Sequence, residues 1–259
     1  MKRLIIIASI LILCTSCVSP KELKKDEIPI LRNWDDVFSL VEILPHDDTS
    51  FTEGLFIFNG NLYESTGLNG QSKLLKYNQT NTNDILEKQE FAEAIFAEGS
   101  TVLDDILYLL TWDNGLVVSF EPETLELIGV NEYSREGWGL TTDGINLIAS
   151  DGTDCLYFMD TNFHTIKELN IYCNDEAITN INELEYDDKY ILANVWLQKY
   201  IIVIEPKTGE VVMKIDFSDL LPDNAIGDSV LNGIAYDGTY YYFTGKNWNV
   251  IYKMKLLEK

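Results

Sequence analysis

Histidine is nearly absent from this sequence, occurring twice in 259 residues, at His46 and His164. No Cys/His group has ligand spacing, so nothing points to a clustered zinc site and no metal is expected. Cysteine is also scarce. Cys14 and Cys17 lie beside the N-terminus, and only Cys155 and Cys173 fall in the body of the chain. A bond between the latter two is permitted outside the cytoplasm, but it requires that Leu156 to Tyr172 fold back in the right register. Basic residues are outnumbered, 19 against 42 acidic ones, and the net charge of -23 excludes a nucleic-acid or anionic-lipid surface. An acidic exterior suits a cationic ligand and equally serves solubility. No long segment carries a helical period.

The uncharged run Leu4 to Leu13 follows Lys2 and Arg3 and is short for a membrane span, as in the core of an export signal. It ends in Cys14-Thr15-Ser16-Cys17, which resembles the lipobox of bacterial lipoproteins, with Cys14 in place of the usual Leu. Residues 1–16 therefore read as a lipoprotein signal peptide and Cys17 as the lipidation site. Simple secretion and an uncleaved anchor are the alternatives. Removal of Lys2 and Arg3 takes the net charge from -23 to -25. Residues 17–33, with alternating charges and two prolines, read as a tether. The expected location is extracytoplasmic and membrane-anchored, at the outer membrane or the periplasmic face, since Val18 is not the Asp that often signals inner-membrane retention. Residues 34–259 remain as a single folded domain, expected to act as a monomer.

That domain repeats itself five times. Gly54, Gly99, Gly139, Glu183 and Gly233 are equivalent anchors, spaced 45, 40, 44 and 50 residues apart. Eight places beyond each stands Leu62, Leu107, Leu147, Ile191 or Tyr241, with Asn-Gly, Asp-Asp or Asp-Gly between. A second turn follows four of the anchors by about 22 or 23 residues. Two hairpins per unit of this length, with β-branched and aromatic strands, describe a four-stranded propeller blade. The expected fold is all-β, a five-bladed β-propeller, with Val37 to Leu44 closing the last blade as its outer strand.

Equivalent positions of successive blades form rings about the axis. The position before the anchor holds Glu53, Glu98, Trp138, Asn182 and Asn232; the position thirteen after it holds Gly67, Trp112, Gly152, Trp196 and Lys246. Both fall at the open end of one hairpin, hence near one mouth. Carboxylates, carboxamides, an ammonium and three tryptophans gathered there can bind a small cationic or amide-bearing group. Equally, such residues can serve blade geometry alone, by capping turns and packing between blades.

Phe51-Thr52-Glu53-Gly54-Leu55, Phe96-Ala97-Glu98-Gly99, Leu110-Thr111-Trp112, Glu136-Gly137-Trp138-Gly139-Leu140, Asn182-Glu183-Leu184-Glu185-Tyr186, Ala193-Asn194-Val195-Trp196, Leu231-Asn232-Gly233-Ile234 and Thr244-Gly245-Lys246-Asn247-Trp248 are similar, in order, to the motifs of the plant-type and bacterial glutaminyl-peptide cyclotransferases. The resemblance runs from about Val37 to Lys259. It implies a five-bladed propeller that converts the N-terminal glutamine of peptides or proteins to pyroglutamate with release of ammonia and without a cofactor. It also implies catalytic roles for Glu98, Asn182 and Lys246, with Phe51, Glu53, Phe96, Trp112, Trp138 and Trp196 around the substrate. Glu53 departs from the family's usual Gln, and Ala97 from its usual Gly. A carboxylate cannot donate an amide N–H, so a non-catalytic propeller that binds peptide N-termini is the alternative.

Overall fold

The computed structural model describes residues 31–258, in which five antiparallel blades of four strands, one of them extended by a fifth, parallel strand, surround a common axis. Blade 1 consists of Thr52–Phe58, Asn61–Thr66, Lys73–Asn78 and Asn81–Glu90, ordered from the axis outward. Blade 2 runs from Ala97 to Glu132, blade 3 from Leu140 to Asn170, and blade 4 from Ile181 to Asp216. Blade 5 has Leu231–Tyr236, Tyr240–Gly245 and Val250–Leu256, and its outer strand is Phe38–Pro45. The expected closure is thus present: Phe38 pairs with Leu256 and Pro45 with Val250. The first strands of successive blades adjoin in a ring, the last against the first.

Apolar side chains on the three inner strands of each blade make this arrangement favourable. Five buried clusters occupy the five interfaces between neighbouring blades, whereas the outer strands Asn81–Glu90 and Leu127–Glu132 are largely exposed. The inner hairpins turn through Asn59-Gly60 and Asp104-Asp105 with positive φ at both residues, which matches the twist of the flanking strands. The anchor glycines sit where neighbouring blades touch. A Cβ on Gly99 would strike the backbone at Gly139 and Leu140, and one on Gly139 would strike Asn182 and Glu183. The blade 4 anchor is instead Glu183, whose carboxylate reaches across the axis to accept Leu55 N–H at 3.3 Å and Ile234 N–H at 2.9 Å.

Three details depart from the sequence reading or complete it. Leu31–Asn33 pairs in parallel with Val211–Asp216, so ordered pairing begins within the stretch read as tether. Cys155 and Cys173 are free and buried: Cys155 sits opposite Asn170, and Cys173 lies in a separate two-stranded ladder with Glu176–Ala177. Trp248 is fully buried and donates its indole N–H to the Ser229 carbonyl, a packing role. Cys17, the signal peptide and most of the tether fall outside the described residues.

Candidate active site

Glu53, Glu98, Asn182 and Asn232 share a local device. In blades 1, 2, 4 and 5 the pairing between the first and second strands slips at this position, between Thr52 and Gly54, Ala97 and Ser100, Ile181 and Leu184, and Leu231 and Ile234. Such bulges re-aim a side chain out of the strand's alternation. The slip is followed by a recurring bond in which Gly67, Trp112, Trp196 and Lys246 donate N–H to the carbonyls of Phe51, Phe96, Asn180 and Val230 at 2.8 to 3.0 Å. The two columns are thereby brought beside each other. The same bond carries Phe51 and Phe96, two residues before Glu53 and Glu98, into the group.

A cavity of about 350 Å³ opens at this mouth, lined by Phe51, Glu53, Leu68, Phe96, Glu98, Trp112, Trp138, Asn182, Trp196, Asp228 and Lys246. The nine residues that the resemblance places in catalysis or around the substrate all line it, whereas Asn232 of the first column does not. Glycines in the second column leave room for its rings: a Cβ on Gly67 would strike the Phe96 ring, and one on Gly152 would lie 2.7 Å from Trp138 Cζ2. Phe96 and Trp112 meet at 5.6 Å between centroids, and Trp138 and Trp196 meet edge to face at 6.0 Å. Trp112 and Trp196 are each 40% exposed, so they form the rim of the cavity.

The floor is charged and buried. Lys246 Nζ stands 2.7 Å from Glu53 Oε1 and 4.5 Å from the Phe51 ring centroid. Asn232 donates to Glu53 Oε2 at 3.3 Å and to the Thr52 carbonyl at 2.8 Å. Burial raises the Glu98 carboxyl well above the ordinary carboxylate range, and the Glu53 charge raises it further. Burial also raises Glu53, against the pull of Lys246. Of the two, Glu98 is raised the more, because the Glu53 charge adds to its burial whereas Lys246 offsets the burial of Glu53. Glu98 Oε2 and Asn182 Oδ1 are buried with no protein partner. Unpaired buried acceptors are costly, and at the edge of a cavity they invite a ligand's N–H groups.

Sequence reasoning missed three contributors. Leu68 and Asp228 lie in connections outside the repeat register. Glu136 Oε2 accepts the indole N–H of both Trp112 and Trp138 at 3.2 Å, and its place two residues before Trp138 was the available signal. Among the described residues no group of three or more His, Cys, Asp or Glu is placed to hold a metal ion.

Fold and site together define a five-bladed propeller with a carboxyl, lysine and tryptophan pocket at one mouth. A family model described as glutamine cyclotransferase matches residues 9–256. The chain is 36% identical over 229 residues to the glutaminyl-peptide cyclotransferase of Arabidopsis thaliana, spanning 85% of this chain and 71% of that protein. It matches the crystal structure of Myxococcus xanthus glutaminyl cyclase with a TM-score of 0.77 at 28% identity, covering 89% of this chain and 100% of that one. The chain belongs to the glutamine cyclotransferase family.

Proposed function

We infer that this protein is a glutaminyl-peptide cyclotransferase acting on peptides or proteins with an N-terminal glutamine. The α-amine attacks the γ-carboxamide carbon, a five-membered lactam forms, and ammonia leaves. The amine must lose a proton while the leaving nitrogen gains one. A single placed carboxyl can do both, and Glu98 is that shuttle. The observation that carries this reading is the buried Glu98 carboxyl, whose unpartnered Oε2 belongs to an aromatic-walled cavity together with Asn182 and Lys246. Asn182 and Lys246 polarise the carboxamide as charge develops on its oxygen. Phe51, Phe96 and the three tryptophans hold the side chain in its cyclising conformation, an entropic contribution suited to an intramolecular reaction.

The test is to incubate the purified protein with a glutaminyl peptide and follow ammonia release together with pyroglutamate by mass. No product at any pH would overturn the reading. An asparaginyl peptide, whose carboxamide is one carbon too near for a five-membered lactam, should remain unchanged.

The chain is further proposed to be an exported lipoprotein anchored through Cys17 at the outer membrane or the periplasmic face. Lys2, Arg3, the run Leu4 to Leu13 and the cysteine after Ser16 support this. Metabolic labelling with a fatty acid should mark the wild type but not Cys17→Ser, and equal labelling of both would sink it. A monomer is expected, and sedimentation of the purified domain tests it.

A further inference from the structure

Lys246 lines the cavity and is committed to Glu53, 2.7 Å away, while Asn232 holds the other Glu53 oxygen. These three side chains and Glu98 are buried, Glu53 at 1%, Asn232 at 1%, Lys246 at 5% and Glu98 at 6% exposure. The charged groups around Glu98 are Glu53 from blade 1, Lys246 from blade 5, and Glu136 from the segment before blade 3; Asp228, before blade 5, lines the same cavity. The acidic ones repel a charge on Glu98, and the cation among them already has a partner.

Resting on the cyclisation reading, we propose that Glu53 is a positioning residue: by holding Lys246 in its own ion pair it denies Glu98 a directly bonded cation, so that Glu98 takes a proton from the substrate's α-ammonium and the amine meets the carboxamide carbon as a free base. A carboxylate held ionised beside its own lysine would be a weak acceptor, because an α-ammonium gives up its proton only near pH 8. With both groups in the dry cavity, Glu98-COO⁻ and R-NH₃⁺ become Glu98-COOH and R-NH₂. The amine nitrogen then bonds to the carboxamide carbon. Glu98 passes its proton to the carboxamide nitrogen and recovers one from the attacking nitrogen. The C–N bond breaks, lactam and ammonia result, and the proton left on Glu98 departs with ammonia or to solvent. The same complex forms from neutral Glu98 and free amine, so kcat/KM follows both ionisations.

The experiment is a kcat/KM profile against pH for wild type, Glu53→Gln and Glu53→Asp. In Glu53→Gln, Lys246 is released to Glu98, and the acidic limb should move to lower pH by about one unit or more. Glu53→Asp keeps the charge and should keep the limb. A limb unmoved in Glu53→Gln, or moved alike in both variants, overturns the proposal. Difference infrared titration without substrate reads the Glu98 carboxylic-acid band, assigned by its loss in Glu98→Gln, and that band should titrate at lower pH in Glu53→Gln. If the band moves as stated and no protein makes pyroglutamate, the cyclisation reading fails while the charge relation stands. A band that does not move overturns the charge relation whatever the activity.

Discussion

His46 Nε2 lies 3.0 Å from Glu64 Oε1, with the two side chains 2% and 0% exposed. His46 Nδ1 lies 2.7 Å from the Trp248 carbonyl. Both ring nitrogens face acceptors, an arrangement that favours the imidazolium, and although burial lowers the group, the Glu64 charge and hydrogen bond raise it on balance. Glu64 also accepts from Thr52 and Tyr77 at 2.7 and 2.8 Å. The pair joins blade 1 to the end of blade 5 where the ring closes. It stands in framework, not in the pocket.

Glu64→Gln should therefore cost stability far more than catalysis. Removing one partner of a buried pair costs about 3 to 5 kcal/mol, read as a fall in unfolding midpoint. Turnover of the folded fraction should stay within a few-fold of wild type. The pH dependence has two limbs. Burial would lower His46, but the Glu64 charge and hydrogen bond outweigh it and raise the group, so its contribution is complete below its ordinary 6.5 and is lost as pH rises through the raised value. Burial would raise Glu64, but His46 holds it down, so its contribution is complete above its ordinary 4.5 and is lost as pH falls through the lowered value. Thermal unfolding from pH 3 to 9 should show the wild-type advantage over Glu64→Gln greatest between those two ordinary values.

Glu98→Gln preserves size and much of the hydrogen bonding but cannot carry a proton. Acid–base catalysis contributes roughly 10²- to 10⁴-fold, so kcat should fall by at least the lower figure with an unchanged unfolding midpoint. Comparable losses per folded molecule in Glu98→Gln and Glu64→Gln would mean that the acid–base residue is misassigned.

Glu136 holds two indoles with one oxygen, Trp112 from blade 2 and Trp138 at the head of blade 3. Each bond is worth about 0.5 to 1.5 kcal/mol. Glu136→Ala should thus loosen both walls and raise KM by roughly three- to tenfold, with a smaller effect on kcat. Glu136→Gln retains an acceptor and should lie nearer wild type. A KM unaffected by the alanine variant would show that the two rings are held by packing alone.

The blade count, the closing strand Phe38–Pro45 and the two columns were legible because they depend on features every blade repeats: a turn, an anchor and an alternation. The bulges at Glu53, Glu98, Asn182 and Asn232 were not, since a slip in register is a relation between two strands. The Lys246 to Glu53 pair was hidden for a similar reason. It joins blade 5 to blade 1 across 193 positions, and only the closed ring brings the two together. Leu31–Asn33 joined blade 4 despite its tether-like setting, because an outer strand offers an open edge that a short extended segment can pair with. Cys155 and Cys173 failed to meet because the strand after Cys155 returns opposite Asn170, three residues short of Cys173.

Gly144 and Gly152 separate backbone strain from pocket shape. Both have φ near +80°, at +81° and +78°, where an L side chain is strained. Alanine at either position should cost about 1 to 2 kcal/mol. Their surroundings differ. A Cβ at Gly144 meets nothing within 4 Å, whereas one at Gly152 lies 2.7 to 2.9 Å from three atoms of the Trp138 indole. That ring must move, and its edge-to-face contact with Trp196 and its bond to Glu136 must change with it. A misplacement on the ångström scale in a site that orients an intramolecular attack can cost about 10²-fold. Gly152→Ala should therefore lose at least tenfold in kcat/KM while Gly144→Ala, similarly destabilised, keeps its activity at temperatures where both are folded. Parallel melting curves and steady-state assays decide it. Equal activities in the two variants would show that the Trp138 wall does not touch the reacting group, and would move the substrate toward Phe51, Phe96 and Trp112.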